Sequence, residues 1–98
     1  MIVRIVKLTF RETEIDTFKQ ILEDSKENIR AFPGVLHLQM LQSAHNPCIF
    51  FTYSNWKSAD DLENYRHSDL FKNTWAKTKP LFADKPEAWS NNELHILP

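Results

Sequence analysis

With 98 residues, 42% of them hydrophobic and 12% aromatic, the chain is long enough to pack one domain, expected over 1–98, and too short for two. Its 12 basic and 13 acidic residues are interspersed and leave a net charge of −1, so the clustered Lys and Arg that bind nucleic acid are missing. The single Cys48 excludes an internal disulfide, Arg4 and Lys7 interrupt the N-terminal apolar stretch, and no run nears the roughly 20 apolar residues of a membrane span, so a soluble cytoplasmic protein without a secretory signal is expected.

Residues 2–10, IVRIVKLTF, read as a strand. Ile2, Val6, Leu8 and Phe10 share one face, with Arg4 among them. Val3, Ile5, Lys7 and Thr9 share the other. Branched apolar residues on both faces point to a strand covered on both sides. A helix is predicted from Thr13, whose hydroxyl is placed to cap the first turn with Asp16 as its acidic partner. Ile15, Phe18, Leu22 and Ile29 recur at helical spacing, and Ile21 widens the stripe. Pro33-Gly34 stops this helix.

Residues 35–43 and 48–56 form the next two strands, joined through Ala44–Pro47 as an antiparallel hairpin. Ile49–Phe51 is apolar without alternation and suits a central strand. Ser58 is predicted to cap a short helix with Asp61 three residues on, and Ser68 to restart it. Phe71, Trp75, Thr78 and Phe82 then repeat at helical spacing, Pro80 ends the helix, and residues 88–97 form a last strand.

The order strand, helix, strand, strand, helix, strand is the split βαβ, ferredoxin-like α+β arrangement with an antiparallel four-stranded sheet. Its helices cover one face only. A second copy of the sheet is the simplest cover for the other. A homodimer is therefore predicted, with Ile2, Val6, Leu8, Leu36, Leu38 and Met40 as candidates for the contact.

Three stretches carry a family resemblance: FPGV at Phe32–Val35, WKS at Trp56–Ser58 and HSDLF at His67–Phe71. With the element order, they resemble the antibiotic biosynthesis monooxygenase family. The resemblance implies a dimeric α/β barrel and a pocket between the sheet and the second helical segment. It also implies a cofactor-independent monooxygenase acting on a small aromatic or quinol-type substrate. The haem-degrading branch uses an Asn on the first strand, a Trp in the short helix and a His in the next. The matching positions hold Lys7, Tyr65 and Trp75, and tryptophan is not an iron ligand. The quinol-type branch often has a His where Tyr65 stands and an acid where Ser54 stands.

Lys7, Tyr65 and His67 are the candidate catalytic residues, and Tyr53, Phe71 and Trp75 the candidate substrate-binding ones. Phe71 and Trp75 either form a slot for a flat ring or simply pack the core. Tyr65 either bonds a substrate oxygen or only packs its ring. Lys7 against a pocket would be a base or anion partner, and on the surface a snorkelling cation. His67 is either a base or a solvated junction residue. Trp56 anchors the strand end. His37, His45, His95 and Cys48 show no zinc spacing, so neither metal nor cofactor is expected. Two other functions fit the same elements: a non-catalytic dimeric binding module, and an isomerase of a small keto compound with Lys7 or His67 moving a proton.

Overall fold

A computed structural model describes residues 1–98. Its strands are β1 (Ile2–Thr9), β2 (Val35–Gln42), β3 (Ile49–Trp56) and β4 (Glu87–Asn92). Its helices are α1 (Ile15–Arg30), α2 (Ala59–Arg66) and α3 (Asp69–Thr78). The sheet order is β2-β3-β1-β4 and every pair is antiparallel. This is the predicted α+β, ferredoxin-like arrangement.

Local chemistry sets most boundaries. Ser58 Oγ accepts the Asp61 backbone N–H at 3.1 Å and donates to Asp61 Oδ2 at 2.9 Å. Ser68 Oγ accepts the Phe71 N–H at 3.1 Å and starts α3. Gly34 has φ +93°, the left-handed region that glycine tolerates, and a Cβ there would stand 2.4 Å from Asp61 Cβ. Arg30 closes α1 by donating to the carbonyls of Val35 and Leu36, at 2.9 and 3.2 Å.

Two boundaries differ from expectation. Thr13 does not cap α1: it lies inside a 3₁₀ turn, Glu12–Glu14, and neither end of that turn nor the start of α1 has a side-chain cap. The last strand stops at Asn92, not at 97. Its partner runs out, because Asn92 already pairs with Ile2, the first residue of β1. Leu94, Ile96 and Leu97 beyond it are 79–85% exposed.

All three helices lie on one face of the sheet, over two apolar clusters. Leu8, Phe10, Phe18, Phe50 and Leu81 form the first, with Val6 and Trp75 against it. Phe10 is its centre, stacked on Phe18 at 4.0 Å and on Phe82 at 5.1 Å. Val35, Trp56 and Leu62 form the second, with Ile2, Leu38 and Tyr65 against it. Burying such side chains contributes about 1.5–3 kcal/mol each.

This arrangement corrects the predicted dimer contact. Ile2, Val6, Leu8 and Leu38 pack beneath the helices, and Met40 shares their face through its register with Thr52. Leu36 sits at a break in the β2–β3 register and is half-exposed. The face away from the helices is the other series: Val3, which is buried, then Ile5 and Lys7, with Phe51, Tyr53 and the exposed Leu41 and Trp89 alongside in register. Strand alternation identifies two faces without saying which one meets the helices, and a one-residue offset exchanges them. No helix is long and apolar enough to cross a membrane.

Candidate active site

The two apolar clusters are separated by a polar row. Arg4 pairs in register with Ser54 on β3 and Ser90 on β4, and all three point to the helix-covered face. Arg4 Nη1 donates to Ser90 Oγ at 3.0 Å. Ser54 is buried and accepts the Trp56 indole N–H at 3.0 Å. Neither serine carries charge, and Arg4 makes no ion pair. Partial burial is the main influence lowering the Arg4 pKa. Repulsion from Arg66 on α2 adds to it, and Glu63 opposes it. A guanidinium stays protonated in such surroundings, so the row carries a fixed, incompletely solvated cation.

Aromatic rings line the helix side of this row. Tyr65 on α2 contacts Trp56 at 5.1 Å, Phe32 at 5.3 Å and Phe71 at 5.3 Å. Phe71 lies nearly parallel to Trp75, with centroids 5.7 Å apart and planes 14° from each other. Trp75 continues to Phe82 at 5.5 Å. Tyr65 belongs to one cluster and Trp75 to the other, so Phe71 links them. Phe71 and Trp75 remain partly exposed, and β4 is exposed along its whole length. We call this region a shelf: Arg4, the buried Ser54 and Ser90 mark its sheet side beside the exposed β4, and the ring run Tyr65, Phe71 and Trp75 joins the two clusters on its helix side.

Burial pushes the Tyr65 phenol up to about 12. Its hydroxyl has no hydrogen-bond partner in the chain, although its ring contacts three others. A neutral phenol of this kind donates a hydrogen bond and does not act as a base.

The six candidates from the sequence therefore divide. Tyr65, Phe71 and Trp75 come together. His67 stands at the rim after α2, 72% exposed, with Nε2 2.8 Å from Glu63 Oε1. Glu63 also holds Arg66 at 3.3 Å. Lys7 and Tyr53 are on the opposite face and do not reach the shelf. Lys7 lies 3.9 Å from Glu87 in an exposed pair, and Tyr53 packs edge-on to His37 at 5.9 Å. The reason is alternation again: Lys7 belongs to the odd-numbered series of β1, and the helices cover the even one. Arg4 is the basic residue on the helix side. Its signal was present in the sequence as the one charged residue among Ile2, Val6, Leu8 and Phe10.

Two surface hollows lie elsewhere. One of about 470 Å³ is bounded by Lys7, Thr9, Asp84, Lys85, Pro86 and Glu87, most of them charged. One of about 270 Å³ lies between α1 and β2, beside Arg30 and Met40. Neither touches an aromatic ring. No three His, Cys, Asp or Glu side chains converge anywhere in the chain.

A family model described as antibiotic biosynthesis monooxygenase matches residues 1–77. No curated protein sequence matches. Among solved structures, a provisionally named antibiotic biosynthesis monooxygenase of Nitrosomonas europaea superposes with a TM-score of 0.91 at 21% identity, over 97% of this chain and 100% of that one. A conserved protein of Methanosarcina mazei Go1 gives 0.89 at 19% identity, over 96% and 94%. Rv0793 of Mycobacterium tuberculosis gives 0.90 at 16% identity, over 99% and 98%. At these identities the likeness speaks for the fold.

Proposed function

The chain belongs to the antibiotic biosynthesis monooxygenase family, and from that premise we infer that it is a cofactor-independent monooxygenase of a small, flat phenol or quinol, working in the cytoplasm as a homodimer. The observation that carries the reading is the shelf: a polar row with one cation, set between two apolar clusters and walled by Tyr65, Phe71 and Trp75.

A hydroquinone on this shelf has its ring against Phe71 and Trp75 and its oxygen towards the polar row. The nearby guanidinium favours the phenolate, and the proton leaves to water through the open β4 side. The electron-rich carbon ortho to that oxygen then gives electrons to dioxygen and forms a C–O bond. Cleavage of the O–O bond leaves one oxygen on the ring and releases the other as water. A hydroquinone plus dioxygen thus becomes a hydroxyquinone plus water, with every electron supplied by the substrate. Tyr65, held neutral by burial, donates a hydrogen bond to the developing oxyanion.

The dimer covers the other side of the sheet. Leu41 and Trp89 are 43% and 46% exposed there, next to Ile5, Phe51 and Tyr53. Apolar surface of that kind favours a matching partner. Two copies packed sheet to sheet through this surface form the dimeric barrel that the family resemblance implies.

A second reading is a non-catalytic module that binds a flat aromatic. One observation favours it: neither Lys7 nor His67, the two candidate bases, lies on the shelf. The same geometry weakens the keto-isomerase reading, which needs one of them beside a carbonyl. Oxygen uptake with a panel of hydroquinones separates the readings. Substrate-dependent uptake that falls on Tyr65→Phe supports the monooxygenase; tight binding without uptake supports the module.

A further inference from the structure

The polar row has an unbalanced charge. Arg4 is half-buried, and its one side-chain hydrogen bond goes to a neutral hydroxyl, Ser90 Oγ. The guanidinium has five N–H donors in a planar fork. Its cross-strand neighbours on both sides are serines. The carboxylate on the facing helix, Glu63, is already shared between Arg66 at 3.3 Å and His67 at 2.8 Å. Two arginines therefore face one acid around the same open shelf.

A half-desolvated cation without a counter-ion is costly, and a ligand that brings the missing charge recovers part of that cost. The flat apolar wall beside it selects a ring. We propose that the shelf takes its ligand as a planar aromatic anion, with Arg4 as the residue that selects for the charge. The anionic group is a ring carboxylate or an acidic phenol; both present oxygens that the fork can grip. This inference rests on the reading of the shelf as the substrate site and names the class of substrate. It does not require that oxygen chemistry follow.

The test is binding under anaerobic conditions, by isothermal titration of the wild-type protein. Two pairs are compared: 2,5-dihydroxybenzoate with 2,5-dihydroxybenzamide, and 4-nitrophenolate with 4-nitroanisole. Each pair keeps the ring and changes the charge. At least one anion should bind about tenfold or more tightly than its neutral partner, the size expected for one hydrogen bond to a charged group. The preference should shrink as salt rises. A carboxylate preference alone assigns a ring acid; a phenolate preference alone assigns an acidic phenol. Arg4→Met should bring the ratio close to one, and Arg4→Lys should keep part of it. On the wild-type protein, the Arg4 Nε–H resonance should shift with the anion and stay in place with the neutral compound, which requires no variant to fold. Equal binding within both pairs, absence of binding by all four compounds, or an unmoved Arg4 resonance overturns the proposal. Admitting oxygen afterwards tests the monooxygenase reading separately: selective binding of the anion without oxygen uptake by any hydroquinone removes that reading and leaves the charge selection standing.

Discussion

The Arg4 guanidinium donates to the Ser90 hydroxyl at 3.0 Å, joining the first strand to the last across the floor of the shelf. The bond is exposed to water on the β4 side, and its acceptor is neutral. It holds the side chain in place without cancelling its charge. Arg4→Met should therefore change unfolding free energy by no more than about 1 kcal/mol, because the lost hydrogen bond is offset by relief of a partly buried charge. Urea denaturation of the variant checks this. A larger loss would make Arg4 a structural residue.

Tyr65 behaves in the opposite way, as a ring that matters to packing with a hydroxyl that does not. Tyr65→Phe should leave stability near neutral pH within about 0.5 kcal/mol, since no partner is left unsatisfied. Oxygen uptake with the best hydroquinone should fall by about tenfold to a thousandfold, the range for removing one oxyanion donor. Parallel thermal melts and oxygen-electrode rates distinguish the two effects.

The same hydroxyl predicts an alkaline limit to stability. Burial raises its pKa from 10.0 to about 12. In the folded chain it therefore keeps its proton at a pH where the unfolded chain has lost it. Above pH 10 the unfolded state binds fewer protons, so stability falls as pH rises. The contribution is fully present below pH 10 and is lost by about pH 12. Tyr65→Phe should remove this part of the slope, which denaturation midpoints across that window would show.

Gly34 tests the junction that positions the shelf's helices. At φ +93° an alanine is strained, and its Cβ would collide with Asp61, the residue paired with the Ser58 cap. Gly34→Ala should cost about 2 kcal/mol or more. A melting temperature unchanged from wild type would show that the α2 start can shift freely.

The uncovered sheet face predicts the assembly. Sedimentation at micromolar concentration should show a dimer, and Leu41→Glu combined with Trp89→Glu should give a folded monomer, because both positions are exposed on that face. A monomeric wild-type protein would remove the dimer from the account.

Much of the fold was legible because it is written in short-range chemistry. Ser58 with Asp61, and Ser68 before Leu70-Phe71, mark helix starts that the hydrogen bonds reproduce. The Pro33-Gly34 stop is equally local. What was not legible was which face of β1 meets the helices. Val3 and Ile5 are as apolar as Ile2 and Val6, so alternation alone does not choose. The choice is made at long range, by Phe10 and Phe50 closing on Phe18. That single ambiguity decides the side of Ile2, Val6, Leu8 and Leu38, expected at a dimer contact and found beneath the helices, and it places Lys7 and Tyr53 on the face away from the helices. Tyr65, Phe71 and Trp75 stand in one run of ring contacts because helical spacing after two serine caps fixes their side without reference to the sheet.

The most direct test of the central claim is oxygen incorporation. Purified protein, free of added cofactor, is incubated with a hydroquinone under ¹⁸O₂ and the product is weighed by mass spectrometry. One ¹⁸O atom per hydroxyquinone is expected, formed in step with oxygen uptake and strongly reduced by Tyr65→Phe. Product carrying no ¹⁸O, or formed at the same rate without protein, would contradict it.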